Sequence, residues 1–292
     1  MKFLISNDDG VHAPGLLALF QALSTIGEVL VVAPNDEQSG YASALSVSKP
    51  LHTHQLPSGF VAVNGTPADC IHLALHELHR DMDFDCVITG INSGANLGQD
   101  VMFSGTFGAA LTAQLFGIPA IATSLVGGGV KDGGQESADD YKVAANEIVK
   151  LLTDTPILDT LKSLPYHVLN VNIPDVGSAD DIRGRKITSL AHKQIAQPVR
   201  HMIDPRGRDA YWLSLRKRKN DECMEESPLD TVAPLSRPKD GGFGSDGKCG
   251  DIATPVMTDD QAVVAGYVSL SPVRLHHTPT VALAQFSTLF RH

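Results

Sequence analysis

The chain has 292 residues, a formal net charge of −10 and 42% hydrophobic residues, enough to bury a full core. That acidity argues against binding duplex nucleic acid, whose phosphates call for a basic face. No apolar run reaches the length of about 18 residues that a membrane span needs. The N-terminus runs directly into a core strand, so a cytoplasmic protein is expected.

In chain order, Phe3–Ser6 reads as a short buried strand that stops at two adjacent acids and a glycine, Asp8-Asp9-Gly10. Pro14 opens a helix to about Ile26, where its missing N–H does no harm. Glu28–Ala33 is a second buried strand, stopped by Pro34, and Asn35–Gly40 follows as a polar loop. Short strands or a hairpin are expected within Val47–Val63. Thr66 caps a helix to about Leu78, with Pro67 at its first position. Strands at Cys86–Thr89, Ala120–Ser124 and Val168–Asn172 alternate with helices at Gly105–Phe116 and Asp139–Leu152. Strands separated by helices predict βαβ crossovers, hence an α/β fold with a mostly parallel sheet.

The pattern changes after about residue 180. Ile187–Leu190 and Ala210–Leu215 read as antiparallel strands, and residues 216–255 as a polar, turn-rich surface excursion. Val263–Leu270 reads as a returning strand and Ala282–Phe290 as a terminal helix. The chain therefore divides into a core at 1–180 and a region at 181–292 that holds a hairpin, a last core strand and the terminal helix. Four cysteines without a CxxC spacing, Cys70 and Cys86 in apolar surroundings, suit buried reduced thiols.

Several segments are candidates for chemistry. Asp8 and Asp9 stand at a strand's C-terminal tip, where open α/β sheets bind ligands. Side by side, two carboxylates repel unless a cation lies between them or one is protonated. Hard oxygen donors suit Mg²⁺, Mn²⁺ or Ca²⁺, although a helix cap beside a turn aspartate would also account for the pair. Ser39 and Gly40 lie at the neighbouring strand end; by itself Ser39 reads as a loop serine. Gly90-Ile91-Asn92-Ser93-Gly94-Ala95-Asn96-Leu97-Gly98 follows a buried strand, and its glycines let backbone N–H groups approach an anion. Asn92 offers a neutral oxygen. The spacing matches neither the dinucleotide fingerprint nor the P-loop. Ser104-Gly105-Thr106 opens a helix whose N-terminal N–H groups suit phosphate, or whose hydroxyls serve only as caps. His72, His76 and His79 share a helical face and read as solvated or packed. His12 follows the acids closely, and Arg216-Lys217-Arg218-Lys219 is a short basic run.

Taken together, these segments resemble the SurE family, the stationary-phase survival 5'/3'-nucleotidases. The resemblance rests on Ile5–Gly10 with Ala13-Pro14-Gly15, Ala33-Pro34 with Gln38-Ser39-Gly40, Gly65–Cys70 and Gly90–Gly98. It continues with Ser104-Gly105-Thr106, Gly117–Ala122, Asn170–Pro174 and Gly266–Ser269, all in order along the chain. It implies a Rossmann-like three-layer core with an extended β-hairpin and a C-terminal tail. It also implies a divalent-metal phosphohydrolase acting on nucleoside 5'- and 3'-monophosphates. One Mg²⁺ or Mn²⁺ per subunit would be held by Asp8, Asp9, Ser39 and Asn92. Asn96 and Ser104, Gly105 and Thr106 would lie around the phosphate, with Asp8, Asp9 and Asn96 as the catalytic set. Homodimers or homotetramers that exchange their C-terminal regions are implied, with neither membrane nor duplex nucleic acid as partner. Phe103, Phe107 and Thr112 depart from the usual tyrosine, valine and glutamate, and residues 216–255 match poorly. A nucleotide-binding sensor without turnover, or a phosphatase for short polyphosphate or another phosphomonoester, are the alternative functions.

Overall fold

Lys2–Ser6 forms β1, whose side chains alternate between two buried surfaces. Phe3 and Ile5 join one apolar cluster and Leu4 the other, because successive side chains of a strand point to opposite faces. The structure, a computed structural model, describes residues 1–128, 136–192, 199–213 and 256–274. They fall into two compact units, 199–213 forming the smaller one.

In the larger unit β1 is joined by β2 (Glu28–Pro34), β3 (Thr53–Gln55), β4 (Val61–Val63), β5 (Cys86–Ser93), β6 (Ala120–Val126), β7 (His167–Pro174) and β8 (Arg185–Ile187). With β11 (Val268–Arg274) these make a nine-stranded sheet in the order β3-β4-β2-β1-β5-β6-β7-β11-β8. The six strands from β4 to β7 are mutually parallel. β3 and β11 run antiparallel to their neighbours β4 and β7. One face is covered by α1 (Pro14–Leu23), α4 (Lys142–Asp154) and α5 (Ile157–Ser163), whose buried residues share a cluster with Phe3, Ile5 and Ile88. The other is covered by α2 (Pro67–Leu73) and α3 (Gly105–Leu115), packed on Leu4, Val32 and Val87. This is the expected three-layer α/β core.

Local chemistry sets the helix limits. α1 ends before Ile26 because the hydroxyls of Ser24 and Thr25 take up the carbonyls of Phe20 and Ala22 at 2.7 and 2.6 Å. Thr66 and Asp69 form a capping box at the start of α2, and a π-helical turn, Ala74–Leu78, completes the stretch expected to be helical.

Three expectations need correction. Ile187–Leu190, expected as an antiparallel strand, overlaps β8 (Arg185–Ile187) only at Ile187, and β8 lies parallel to β11 in the main sheet. The smaller unit is a separate antiparallel hairpin, in which β10 (Asp209–Leu213) pairs with β9 (Val199–Ile203), a strand the sequence pattern did not mark. Val263 starts no strand, because α6 (Asp259–Val264) is nucleated by a Thr258/Gln261 capping box and the strand begins at Val268. Residues 216–255 and 282–290 lie outside the described residues, as do the basic run and Cys223 and Cys249. Cys70 and Cys86 are buried free thiols. Among the described residues no helix is long and apolar enough to cross a membrane.

Candidate active site

At the tip of β1 the Asn7 amide donates to the Gly10 carbonyl at 2.9 Å, closing a turn in which Gly10 takes φ +101°, a backbone region that favours glycine. The turn leaves Asp8 buried, 3% exposed, and Asp9 partly buried. Three other segments of the C-terminal edge are tied to these two residues.

The first is the loop after β2. Val11 N–H donates to the Pro34 carbonyl and Gln38 N–H to the Asp8 carbonyl, both at 2.7 Å. Ser39 is the next residue; it is exposed, and its hydroxyl donates to Glu37 Oε1 at 2.9 Å. The second is the end of β5. The register on β6 shifts between Thr89 and Asn92. Gly90 sits in that irregularity at φ +119°, where a Cβ would lie 2.3 Å from the Thr123 carbonyl oxygen. Beyond it Ser93 N–H donates to Asp9 Oδ2 at 3.2 Å, and the Asn92 amide nitrogen donates to the Gly94 carbonyl at 2.7 Å.

The third is the start of α3. Ser104 caps it, accepting from Phe107 N–H at 3.0 Å. A Cβ at Gly105 would fall 2.8 Å from Asp8 Cβ, so glycine lets the helix end press on the carboxylate. The buried Thr106 hydroxyl donates to Asp8 Oδ1. Burial pushes the Asp8 carboxyl above its ordinary pKa. The groups that oppose this are neutral: the Thr106 hydroxyl and the backbone N–H groups of Asp8, Thr106 and Gly105.

Asn96 is 8% exposed and held on all sides. Its N–H donates to Asn172 Oδ1 and its side-chain nitrogen to Ser124 Oγ, while its carbonyl accepts from the amides of Asn170 and Asn172, all at 2.9 Å. The segment from Asn92 to Asn96 is thus fixed to the ends of β6 and β7.

Sequence reasoning missed one group. Glu136 accepts from the Ser93 hydroxyl at 2.9 Å and from the Tyr141 phenol at 3.0 Å. It therefore braces the residue whose N–H holds Asp9. No local pattern marks Glu136; the only nearby signal is the capping box of Ser137 and Asp140 that follows it. The histidines fall elsewhere. His72 and His76 pack edge-on against Phe116, with ring centroids at 5.2 and 4.4 Å, and His12 is exposed.

Among the described residues no three His, Cys, Asp or Glu side chains converge on a metal position. A cation here would depend on neutral oxygens beside the two acids, and the residues present fit that demand. Asn92 turns its nitrogen to Gly94, which leaves its oxygen for another partner. Ser39 gives its proton to Glu37, which leaves its oxygen lone pairs. Two carboxylates, a hydroxyl and an amide oxygen make a hard donor set, suited to Mg²⁺ or Mn²⁺ rather than to a thiophilic ion.

Residues 3–197 match the family model described as Survival protein SurE. The chain is 68% identical over 289 residues to the 5'-nucleotidase SurE of Psychrobacter cryohalolentis, covering 99% of each sequence. It is 40% identical over 282 residues to the 5'-nucleotidase SurE of Acinetobacter baylyi, covering 95% of each. Among solved structures it is similar to the crystal structure of the SurE protein from Aquifex aeolicus, with a TM-score of 0.68, 29% identity and 99% of both chains covered.

Proposed function

The chain belongs to the Survival protein SurE family, and on that premise we propose that it is a divalent-metal-dependent nucleotidase. It hydrolyses nucleoside 5'-monophosphates, and 3'-monophosphates as well, to nucleoside and phosphate. The observation that carries this reading is the convergence on Asp8 and Asp9 of the Gln38 N–H, the Ser93 N–H and the first turn of α3. Two acids, neutral oxygens and a helix N-terminus suit a cation and a phosphate side by side.

Asp8, Asp9, Ser39 and Asn92 would hold one Mg²⁺ or Mn²⁺ per subunit. When bound, such an ion offsets the phosphate charge and acidifies water. Asp9, the more exposed carboxylate, takes the proton of the attacking water, with Ser93 N–H fixing its second oxygen. Asp8 is anchored by Thr106 and keeps the carboxylate pair and α3 in one fixed arrangement. The Gly105 and Thr106 N–H groups are turned to Asp8, so the Ser104 hydroxyl and the Asn96 side chain are the groups that would stabilise charge on the equatorial phosphate oxygens. Adjacent acids are not the DxD arrangement of phosphatases that form an aspartyl phosphate, so direct attack by water is the reading. Homodimers or homotetramers joined through the C-terminal region complete the proposal, and light scattering on the purified protein measures that state.

The test is phosphate release from AMP, GMP, CMP, UMP and 3'-AMP after EDTA treatment, with and without added Mn²⁺ or Mg²⁺. Release restored by metal is the expected result. A folded protein that binds nucleotide but releases no phosphate with either metal would be a sensor instead. Release confined to polyphosphate or sugar phosphates would move the substrate class.

A further inference from the structure

We propose that the cavity between the loop after β2 and the start of α2 is the subsite for the nucleotide's base, a proposal that rests on the nucleotidase reading above. The cavity has a volume of about 300 Å³ and is lined by Asp36, Gln38, Tyr41, Lys49, Asn64 and Thr66, among others. That is the lower end of the range for small-molecule sites.

Its position is set by the candidate active site. Gln38 lines the cavity, and its N–H donates to the Asp8 carbonyl. One short piece of chain therefore separates the cavity from the carboxylate pair. The other wall stands at the end of β4, which lies two places from β1 in the sheet. Two strand spacings come to about 10 Å. In a nucleotide, one sugar ring sets the base apart from the phosphate by a distance of that order.

The wall is built rather than loose. Ala42 N–H donates to the Phe103 carbonyl at 3.2 Å. Ser46 N–H donates to Asp69 Oδ1 at 2.9 Å, and the Thr66 hydroxyl donates to the Ala44 carbonyl at 2.6 Å. The chain from 38 to 46 is thus pinned at Asp8, at Phe103 just before α3 and at the α2 cap, and Tyr41 is carried within it.

The lining chemistry selects the occupant. A second phosphate is disfavoured: Asp36 contributes a carboxylate, and Asp69 already takes the Thr66 and Ser46 N–H groups at the start of α2. An apolar ligand would strip water from charged and amide groups without replacing their bonds. A nucleobase suits the set, because it is a flat ring whose edge carries donors and acceptors together. Tyr41 supplies a ring for stacking, Asp36 an acceptor and Lys49 a donor. Asn64 receives His52 N–H on its oxygen at 2.7 Å, which leaves its nitrogen to donate.

The experiment measures kcat/KM, with Mn²⁺, for AMP, GMP, CMP, UMP and ribose 5-phosphate on the full-length protein and on Tyr41→Ala and Lys49→Ala. Tyr41 is 52% exposed, so its truncation is expected to leave the melting transition in place, and Lys49→Ala is a second, independent probe. Wild-type protein should favour nucleotides over ribose 5-phosphate. Tyr41→Ala should lower that ratio about tenfold, through KM rather than kcat, as loss of one base-stacking partner does. Equal kcat/KM for nucleotides and ribose 5-phosphate in the wild type would mean that no base subsite exists. A preference that survives both substitutions in folded protein would place the base elsewhere. Absence of phosphate release from every nucleotide would remove the nucleotidase reading itself, and that failure appears in the wild type before any variant is compared.

Discussion

Tyr141 donates from its phenol to Glu136 Oε2 at 3.0 Å, and the ring that carries this hydroxyl is 1% exposed. Burial pushes the phenol's pKa above its ordinary value, and the charges of Glu136 and Asp9 add to the effect against the opposing bond to Ser93. The group is a neutral donor throughout the working pH range. It fixes one oxygen of Glu136 while the other receives the Ser93 hydroxyl, and Ser93 N–H in turn holds Asp9. The chain Tyr141, Glu136, Ser93, Asp9 ends on the residue assigned to proton transfer.

Tyr141→Phe and Glu136→Gln are therefore expected to lower kcat by about 10 to 100-fold, the usual cost of losing a partner that orients a metal or catalytic ligand. KM should change little and Mn²⁺ affinity should fall in parallel. Glu136→Gln retains an acceptor oxygen and should do less harm than Glu136→Ala. A purely structural role would show instead as equal losses of melting temperature in Gln and Ala variants with kcat intact.

Gly105→Ala sets propensity against packing. On helix propensity alone alanine is favoured over glycine by about 1 kcal/mol. A Cβ there, however, meets Asp8 Cβ at 2.8 Å and Asp8 Oδ2 at 2.9 Å. Asp8 is buried and held by Thr106, so it has no free rotamer to retreat into. Overpacking of this kind costs about 1–3 kcal/mol. The variant should unfold at lower denaturant concentration and lose at least about tenfold in kcat, since any relief must tilt α3 or shift Asp8. A variant as stable and active as the wild type would show that α3 does not lean on Asp8 in solution.

What the sequence revealed and what it hid follow from the range of the interactions. β1 was legible because Phe3-Leu4-Ile5 is apolar on both faces, the signature of a parallel strand covered on two sides. Asp8, Asp9 and Asn92 stood out as candidates because polar residues and glycines interrupt apolar runs where strands end. Ser39 was not distinguishable from any loop serine until family resemblance promoted it. What ties its loop to β1 is the bond from Gln38 N–H to the Asp8 carbonyl, which spans thirty residues of chain. Glu136 was invisible because its partner Ser93 lies 43 residues away and no spacing announces such a pair. The parallel sense of β8 was hidden for the same reason. Its pairing with Val268–Leu270 is a long-range register that alternation within three residues cannot specify. At α6 the error was local. The apolar run from Val263 outweighed the Thr258-x-x-Gln261 cap that decides the matter.

The two described cysteines give a prediction that needs no substrate. Burial pushes the thiols of Cys70 and Cys86 above their ordinary pKa, with the charges of Asp69 and Asp85 adding to the respective shifts. The sign favours the neutral thiol, whereas alkylation requires the thiolate. In the native protein at mildly alkaline pH, peptides carrying Cys70 and Cys86 should remain unmodified by iodoacetamide, and both should react once guanidinium chloride unfolds the chain. Rapid labelling of either in the native state would show that its strand or helix opens readily.

Asp9→Asn is the most direct test of the mechanism. The substitution keeps the volume and leaves an oxygen for Ser93 N–H at the 3.2 Å contact, so the turn should persist and the melting temperature stay close to that of the wild type. It removes the negative charge a cation needs and the proton acceptor the attacking water needs. Losing a general base costs about a hundredfold or more, and losing a carboxylate ligand weakens metal binding as well. Phosphate release from AMP should therefore fall below detection, and calorimetric titration should show weaker Mn²⁺ binding. Asp8→Asn separates the two contributions. That side chain is buried and faces Thr106 and the α3 N–H groups, so its loss should weaken metal binding without removing the acceptor at Asp9. Raising Mn²⁺ should then recover part of the Asp8→Asn activity and none of the Asp9→Asn activity. Equal recovery of both would reduce Asp9 to a ligand and pass the proton to another group.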